Sequence, residues 1–345
     1  MEFMNFSKAL ISWYLQNQRD LPWRKTVNPY NIWLSEIMLQ QTRVAQGLPY
    51  YLSFIEAFPT VHDLANAEEE KVLKLWQGLG YYSRARNLHA TAKFVSKELK
   101  GNFPNSYKEL LKLKGIGEYT AAAIASISFN ENVAVVDGNV FRVLARYFGV
   151  EQDISDSKSK KTFQELANSL VPKNNAANFN QAIMEFGAIQ CTPKSPDCNN
   201  CIFNKSCFAL QKKKVDQLPI KTKKTKIKDR FLNYVIVKDS DAKFLIEKRT
   251  ENGIWKNLFQ FPLIETEKPL NEVKITTLIK KEFAVQNVLH FNTEPIIHKL
   301  SHQHLYIRFF EITQNTKNPK AISLEEMIKK PFPIVIHNFI ESNYF

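Results

Sequence analysis

The spacing of apolar residues changes once along this chain of 345 residues, near Phe231, and this change most constrains the fold. Before it, apolar residues recur at helical spacing in one segment after another, and no convincing strand pattern is present. After it, short runs of β-branched and aromatic residues alternate with turn signals, with helical stretches near 271–283 and 323–330. The sequence therefore predicts an all-α domain over residues 1–210 and an α+β domain over residues 231–345.

The segment 211–230 between these two regions is predicted to be a basic linker. The chain has a formal net charge of +13, and this segment has nine Lys and Arg against two Asp and Glu. A basic excess favours a polyanion such as nucleic acid, although a lysine-rich linker is often only a solvated tether. No signal peptide and no apolar run of membrane length is found, so we expect a cytoplasmic protein with no membrane partner.

The four cysteines of the chain lie close together in sequence, which indicates a metal site. They have six, two and five residues between them: Cys191, Cys198, Cys201 and Cys207. Such a cluster favours a metal over a disulfide framework. Four thiolates within this short segment suit either a zinc ion or an iron–sulfur cluster, and the spacing alone does not decide between the two.

The segment Pro29–Arg43 predicts a helix that carries two polar residues of interest. Asn28 suits the N-cap, Pro29 suits the first helical position, and one apolar stripe continues to Leu48. Gln41 falls inside this stripe, where an amide needs a partner. Glu36 falls outside it, so periodicity alone predicts an ordinary exposed glutamate.

Two glycines, one residue apart, join two predicted helices. Gly115 and Gly117 allow positive φ angles and a close approach of the backbone to another molecule. The N–H groups at the start of the next helix suit an anion, although a tight helix connection alone would also explain the glycines.

An apolar run ends at Asp137, directly before another amphipathic helix. Aspartate is a favoured N-cap, and capping alone would explain this residue. A cap also fixes the position of its carboxylate, so a catalytic role is compatible with it.

These segments together resemble the helix-hairpin-helix DNA glycosylases of the endonuclease III superfamily, and within it the MutY family of adenine DNA glycosylases. The string Leu-Ser-Glu-Ile-Met-Leu-Gln-Gln-Thr at residues 34–42 is similar to the family segment that holds the general acid. Residues 78–89 and the cysteine pattern also match. The resemblance covers nearly the whole chain, most densely residues 20–207. It implies an all-α helix-hairpin-helix glycosylase domain with an iron–sulfur loop, followed by an α+β Nudix-like domain that recognises the lesion.

The resemblance also implies roles for individual residues. Glu36 would be the general acid, protonated because burial raises its pKa, and Asp137 the ionised carboxylate, supported by Asn139. The four cysteines would bind a 4Fe–4S cluster, and Arg24 and Gln181 would contact the adenine. DNA contacts are implied for Gln41, Thr42, Tyr81, Gly115, Gly117, Ser301 and His302.

Four of these residues have simpler explanations when the family match is set aside. Tyr81 is implied to be an aromatic wedge in the base stack, yet alone it would be an ordinary partly buried tyrosine. Arg24 would pass equally for a surface charge. The segment around Ser301 and His302 would pass for a polar turn that enters a strand.

The chain departs from the family pattern at several positions. Lys114 stands where the family usually has proline, and Leu300 where it has phenylalanine before the Ser-His pair. Tyr119 stands where bifunctional members have the lysine that forms a Schiff base, so we expect a monofunctional glycosylase. The glutamate cluster of a Nudix catalytic box is missing, since Glu272 and Glu282 stand alone, and we expect no pyrophosphohydrolase activity.

The implied function is hydrolysis of the N-glycosidic bond of adenine opposite 8-oxoguanine or guanine in duplex DNA, which starts base excision repair. We expect a monomer associated with the bacterial nucleoid. One alternative is a bifunctional pyrimidine-lesion glycosylase of the endonuclease III type, which Tyr119 and the second domain disfavour. Another is a non-catalytic DNA-binding protein, which the presence of both Glu36 and Asp137 disfavours.

Overall fold

Two compact units form the computed structural model, which describes residues 2–222 and 226–345. The helical unit contains Met1–Asn66 and Asn87–Lys223, and the mixed unit contains Ala67–Arg86 and Lys224–Phe345. Residues 67–86 thus pack with the C-terminal residues, although the sequence places them in the all-α domain. Within the described ranges, no helix combines the length and the apolar character needed to cross a membrane.

The helices follow one another closely through the first 211 residues. A 3-10 turn, Pro22–Arg24, and a wide π turn, Phe186–Gln190, interrupt the series. In chain order, the helices of the described residues are α1 (Glu2–Asn17), α2 (Pro29–Leu39), α3 (Val44–Ala57), α4 (Val61–Asn66), α5 (Glu69–Leu75), α6 (Ser83–Lys97), α7 (Tyr107–Leu110), α8 (Glu118–Phe129), α9 (Gly138–Phe148), α10 (Ser157–Leu170), α11 (Ala176–Glu185), α12 (Phe208–Gln211), α13 (Glu272–Phe283), α14 (Leu324–Ile328) and α15 (Ile334–Tyr344).

Helix α8 lies at the centre of the helical unit. Its alanines Ala121, Ala122, Ala123 and Ala125 are at most 2% exposed. Because these side chains are small, α2 and α11 pack directly against α8. This packing places one face of α2 beside the first turn of α8, where Tyr119 lies.

The predicted helix from Pro29 through Leu48 is two helices, and this prediction was wrong. Helix α2 ends at Leu39 and α3 begins at Val44. Between them Gln41 adopts a left-handed φ of 56°, which a continuous α-helix does not allow. Gln41 is therefore exposed in a turn and does not lie in an apolar stripe.

The predicted linker 211–230 is shorter at both ends in the structure. Leu218 is 3% exposed and belongs to the core that α1, α9, α10 and α11 form around Phe6 and Phe163. The Arg146 guanidinium donates to the Leu218 carbonyl at 3.0 Å. The strand pattern begins at Lys228, before the predicted boundary at Phe231. A few apolar residues in a lysine-rich segment were enough to anchor its first half to the helical unit.

Over its described residues, the mixed unit is built on a six-stranded sheet and a two-stranded sheet. The two longest strands, β1 and β8, pair in parallel at the centre, while β2 and β5 pair with β1, and β6 and β7 with β8, all antiparallel. The strands are β1 (Lys228–Lys238), β2 (Phe244–Leu245), β3 (Glu247–Lys248), β4 (Phe259–Gln260), β5 (Leu263–Thr266), β6 (Leu289–His290), β7 (Ile296–Lys299) and β8 (Gln303–Thr313).

Helices cover both faces of the large sheet. Phe310 of β8 packs with Ile275 and Ile279 of α13. Its neighbour Phe309 points to the opposite face, because side chains alternate along a strand, and its ring stacks on Phe339 of α15 at 3.8 Å. The sequence predicted helices near α13 and α14 but not α15.

Candidate active site

Polar side chains from separate helices meet in one cleft of the helical unit. The cleft has a volume of about 780 Å³, and Glu36 of α2, Tyr119 of α8 and Asp137 at the start of α9 all line it. Of the residues with implied roles, the cleft wall contains Arg24, Glu36, Thr42, Tyr119, Asp137, Asn139 and Gln181.

Glu36 is buried in this cleft. Its exposed fraction is 7%, contrary to the exposed position that periodicity predicted, because α2 is enclosed by other helices and has no solvent face at this turn. Burial raises the pKa of Glu36 to about 7, and the negative charge of Asp137 acts in the same direction. A hydrogen bond with Tyr119 opposes this shift. A carboxyl group with this pKa is about half protonated at neutral pH and can donate a proton.

Tyr119 forms one wall of the cleft next to Glu36. Its hydroxyl group lies 3.4 Å from the sulfur of Met184. Burial and the neighbouring charges of Glu36 and Asp137 raise its pKa well above its ordinary value. The phenol is therefore neutral at physiological pH and acts only as a hydrogen-bonding group.

Asp137 caps α9, as the sequence predicted, and it also faces the cleft. Its Oδ1 accepts from the backbone N–H groups of Asn139 at 2.9 Å and Val140 at 2.8 Å, and its Oδ2 accepts from Asn139 Nδ2 at 2.9 Å. Burial raises the pKa of Asp137 above its ordinary value, and these hydrogen bonds oppose the rise without cancelling it. The cap thus holds the carboxylate in one orientation.

Arg142 connects this cap to the cysteine segment, a contact that the sequence analysis missed. Its Nη2 donates to Asn139 Oδ1 at 2.9 Å and to the Gly187 carbonyl at 2.6 Å, and its Nε donates to the Cys191 carbonyl at 2.7 Å. Since Oδ1 of Asn139 accepts from arginine, its Nδ2 is the atom left to face Asp137. Nothing in the local sequence distinguishes Arg142 from an exposed helical arginine.

A buried ion-pair cluster forms another wall of the cleft. Glu185 has a side chain only 1% exposed and accepts from the guanidinium groups of both Arg19 and Arg24. The hydrogen bonds to these arginines outweigh burial and lower the pKa of Glu185 to about 2. Arg24 is therefore not the surface charge that the sequence left possible. Gln181, one turn before Glu185, accepts from the Tyr14 hydroxyl at 2.7 Å.

Sequence reasoning did not find Arg19 or Glu185. The one available signal was a glutamate inside the apolar string Ile183-Met-Glu-Phe186. A charge at such a position is buried and needs a cationic partner.

The two glycines of the hairpin differ in the space around them. Gly115 has a φ of +77°, and a Cβ there would lie 2.7 Å from Asn87 Cβ, so glycine is required. Gly117 has an extended φ of −93° and caps α8, which corrects the expectation of a positive φ at this position. No atom lies within 4 Å of a Cβ built at Gly117. Space is therefore available beside the N-terminus of α8.

The four cysteines line the same cavity of the helical unit. All four are free thiols, and Arg146 Nη1 lies 3.5 Å from Cys191 Sγ. Among the described residues, no three His, Cys, Asp or Glu side chains are arranged to hold a single metal ion.

The mixed unit brings Tyr81 to the hairpin turn between β7 and β8. Tyr81 is 41% exposed, has a left-handed φ of 47°, and hydrogen-bonds through its hydroxyl to Ser301 Oγ. Ser301 and His302 are exposed at the tip of this turn, while Leu300 is half-buried. The same residues line a cavity of about 1320 Å³ with Trp255.

The helical unit, with its glycine hairpin and with the carboxyl groups of Glu36 and Asp137 in one cleft, defines a helix-hairpin-helix DNA repair protein. Residues 34–169 match the HhH-GPD superfamily of base excision DNA repair proteins, and residues 233–342 match the NUDIX domain. The predicted fold class is thereby confirmed for the helix-hairpin-helix domain and for the Nudix-like domain.

Proteins similar along nearly the whole chain identify the family. An adenine DNA glycosylase of Buchnera aphidicola subsp. Schizaphis graminum is 38% identical over 320 residues, which cover 90% of each chain. The chain belongs to the adenine DNA glycosylase family. It acts in base excision repair as a hydrolase of N-glycosyl bonds that releases adenine from DNA.

Two solved structures share the helical fold. A thermostable thymine-DNA glycosylase is 32% identical with a TM-score of 0.56, and the match covers 61% of this chain and 97% of that chain. The protein of a non-covalent endonuclease III–DNA complex is 22% identical with a TM-score of 0.53, covering 61% of this chain and 96% of that chain. The second likeness concerns the fold alone.

Proposed function

We propose that this enzyme removes adenine opposite 8-oxoguanine or guanine in duplex DNA, and that it does so without cutting the strand. The observation that carries the proposed mechanism is the buried Glu36, with a pKa raised to about 7, in the same cleft as Asp137. Both carboxyl groups come from one chain, which supports a monomer as the active unit. Because its substrate is DNA, we place the enzyme at the bacterial nucleoid.

Glu36 serves as the general acid. Adenine is a poor leaving group until one of its ring nitrogens is protonated, and the neutral form of Glu36 supplies that proton. The base must be extruded from the duplex to enter the cleft, as in other enzymes that act on bases. Arg24 and Gln181 are placed in the same wall and would contact the adenine.

Asp137 serves as the ionised carboxylate. Loss of the base leaves an oxocarbenium-like sugar, which a nearby negative charge stabilises, as in the hydrolysis of other glycosides. The family resemblance suggests that Asp137 also traps the sugar in a transient covalent adduct. The cap hydrogen bonds from Asn139 hold the carboxylate towards the cleft.

Tyr119 makes the enzyme monofunctional. Strand cutting by related glycosylases needs an amine that forms an imine with the deoxyribose. The phenol of Tyr119 occupies that position next to Glu36, and it cannot form an imine.

The four cysteines would bind a 4Fe–4S cluster, as the family resemblance implies. Cysteine thiolates are the usual ligands of such a cluster. Cys191, Cys198, Cys201 and Cys207 line the same cavity of the helical unit, which supports a shared site. The bound cluster would clamp this segment, and Arg142 connects the segment to Asn139.

DNA contacts are proposed in each unit. In the helical unit, Gly115 and Gly117 present open backbone N–H groups to a phosphate, and Gln41 and Thr42 lie in the turn after the catalytic helix α2. In the mixed unit, Tyr81 enters the base stack, and Ser301 and His302 offer hydrogen bonds to the base opposite adenine. The lysine-rich segment adds charge, so affinity is expected to fall with salt.

A strand-cleavage assay tests the proposal. Duplexes with adenine opposite 8-oxoguanine, with thymine glycol and with undamaged pairs are incubated with the enzyme and then treated with or without alkali. We expect cleavage only of the adenine strand opposite 8-oxoguanine, and only after alkali. Cleavage without alkali, or a preference for thymine glycol, would contradict the proposed specificity or the monofunctional assignment.

A further inference from the structure

Tyr81 lies in a backbone turn that tyrosine rarely adopts. Its φ is 47°, and the preceding Gly80 has a φ of 78°, so two successive residues are left-handed. A non-glycine residue in this region is strained and persists only when its surroundings hold it. The proposed wedge function of Tyr81 therefore depends on the residues that stabilise this turn.

Two buried side chains donate hydrogen bonds to the backbone just before Tyr81. The carbonyl of Gly80 accepts from Trp76 Nε1 at 3.0 Å and from Arg84 Nη2 at 3.1 Å. Arg84 Nη2 also lies 3.3 Å from the Leu79 carbonyl. These bonds fix the orientation of the peptide group that leads into Tyr81.

Arg84 also contacts the tyrosine ring itself. Its guanidinium carbon lies 5.5 Å from the Tyr81 ring centroid and 5.2 Å from the Trp76 ring centroid, which is the range of cation–π contacts. Burial lowers the pKa of Arg84 to about 10, so the group keeps its charge at neutral pH. The charged guanidinium thus lies between the aromatic support and the exposed ring.

We propose that Arg84 and Trp76 are positioning residues that hold Tyr81 in the left-handed turn from which its ring enters the DNA base stack. This inference rests on the proposed role of Tyr81 as the wedge. A flat, forked guanidinium is needed here because one group must both bond the turn carbonyls and stack against two rings, which a lysine ammonium cannot do.

The test measures unstacking of DNA directly. The full-length protein carrying Glu36→Gln, which prevents base release, is bound to a duplex with 2-aminopurine next to 8-oxoguanine, and the rise in fluorescence reports the inserted wedge. We expect Arg84→Lys and Trp76→Phe each to reduce the rise to the level of Tyr81→Ala. Lys93→Gln, at an exposed position on the same helix α6, is the matched control and should keep the full rise.

A double substitution separates positioning from general stability. In proteins with Glu36 intact, Arg84→Lys should lower the single-turnover excision rate about tenfold, but it should add no further loss to Tyr81→Ala. An equal loss in both backgrounds, or a full fluorescence rise in Arg84→Lys, would overturn the inference. If Arg84→Lys does not fold, Trp76→Phe, which removes the N–H donor and keeps an aromatic ring, decides the outcome.

Different results would contradict the wedge role of Tyr81 and the positioning role of Arg84 and Trp76. If Tyr81→Ala keeps the full fluorescence rise, the wedge role is wrong and the positioning role falls with it. If Tyr81→Ala loses the rise while Arg84→Lys and Trp76→Phe keep it, the wedge role stands and only the positioning role is wrong.

Discussion

Glu36 and Asp137, which are far apart in the sequence, line the same cleft, where burial raises the pKa of Glu36 and the negative charge of Asp137 adds to the rise. The two groups differ in their surroundings. One hydrogen bond, with Tyr119, contributes to the pKa shift of Glu36. Three hydrogen bonds hold the Asp137 carboxylate. This asymmetry favours a proton on Glu36 and a charge on Asp137, the division that acid-assisted glycoside cleavage requires.

Glu36→Gln should abolish excision while leaving DNA binding intact. The amide has nearly the same shape but cannot donate an acidic proton, and loss of a general acid typically lowers the rate by a factor of about 10² to 10⁴. Single-turnover excision and equilibrium binding to the same duplex measure the two effects. Glu56→Gln, at an exposed position on α3, is the matched control. Near-normal excision by Glu36→Gln would remove the acid role.

The excision rate should fall as pH rises above 7. Because the pKa of Glu36 is about 7, its protonated fraction falls about tenfold for each further pH unit. The pH profile of kcat/KM at constant ionic strength reports this group in the free enzyme. A profile that stays flat to pH 9 would show that no group with this pKa donates the proton.

The stability of the protein should also depend on Glu36 in this pH range. The folded-state pKa lies above the ordinary value of 4.5, so the folded protein holds more protons than the unfolded chain between these two values. Its contribution to the free energy of unfolding is therefore present at low pH and is lost as pH rises through about 7. Urea unfolding of wild type and Glu36→Gln at several pH values should show a smaller decline in the variant. Parallel curves for the two proteins would contradict the shifted pKa.

Tyr119→Lys should introduce strand-cutting activity. An amine at this position faces the sugar in the cleft and can form an imine that borohydride reduces to a stable protein–DNA adduct. Tyr119→Phe is the control without an amine, and neither it nor the wild-type enzyme should be trapped. If the wild-type enzyme gave as much borohydride-trapped protein–DNA adduct as Tyr119→Lys, the monofunctional assignment would be wrong.

Cys198→Ser should yield colourless or unstable protein. A serine does not replace a thiolate in an iron–sulfur site of four cysteines. The visible absorption spectrum and the thermal midpoint are compared with those of Asn199→Ala, which changes an exposed neighbour and keeps the four thiols. Brown Cys198→Ser protein of normal stability would mean that the cluster assignment is wrong.

The sequence by itself determined the features that depend on neighbouring residues. The N-cap at Asp137 is such a local pattern, and it is present as expected. The change from helical to strand periodicity located the two fold classes for the same reason. Each such signal reports the backbone preference of a short segment.

Only the tertiary structure decided which residues lie next to one another. Periodicity placed Glu36 in solvent, and the packing of α2 between other helices buried it. The pairing of Glu185 with Arg19 and Arg24, the contact of Arg142 with Asn139, and the grouping of residues 67–86 with the C-terminal residues all join distant parts of the chain. A pKa shift or an ion pair depends on groups that come from distant segments of the chain. The packing of the whole unit brings these groups together, and no short segment specifies that packing alone.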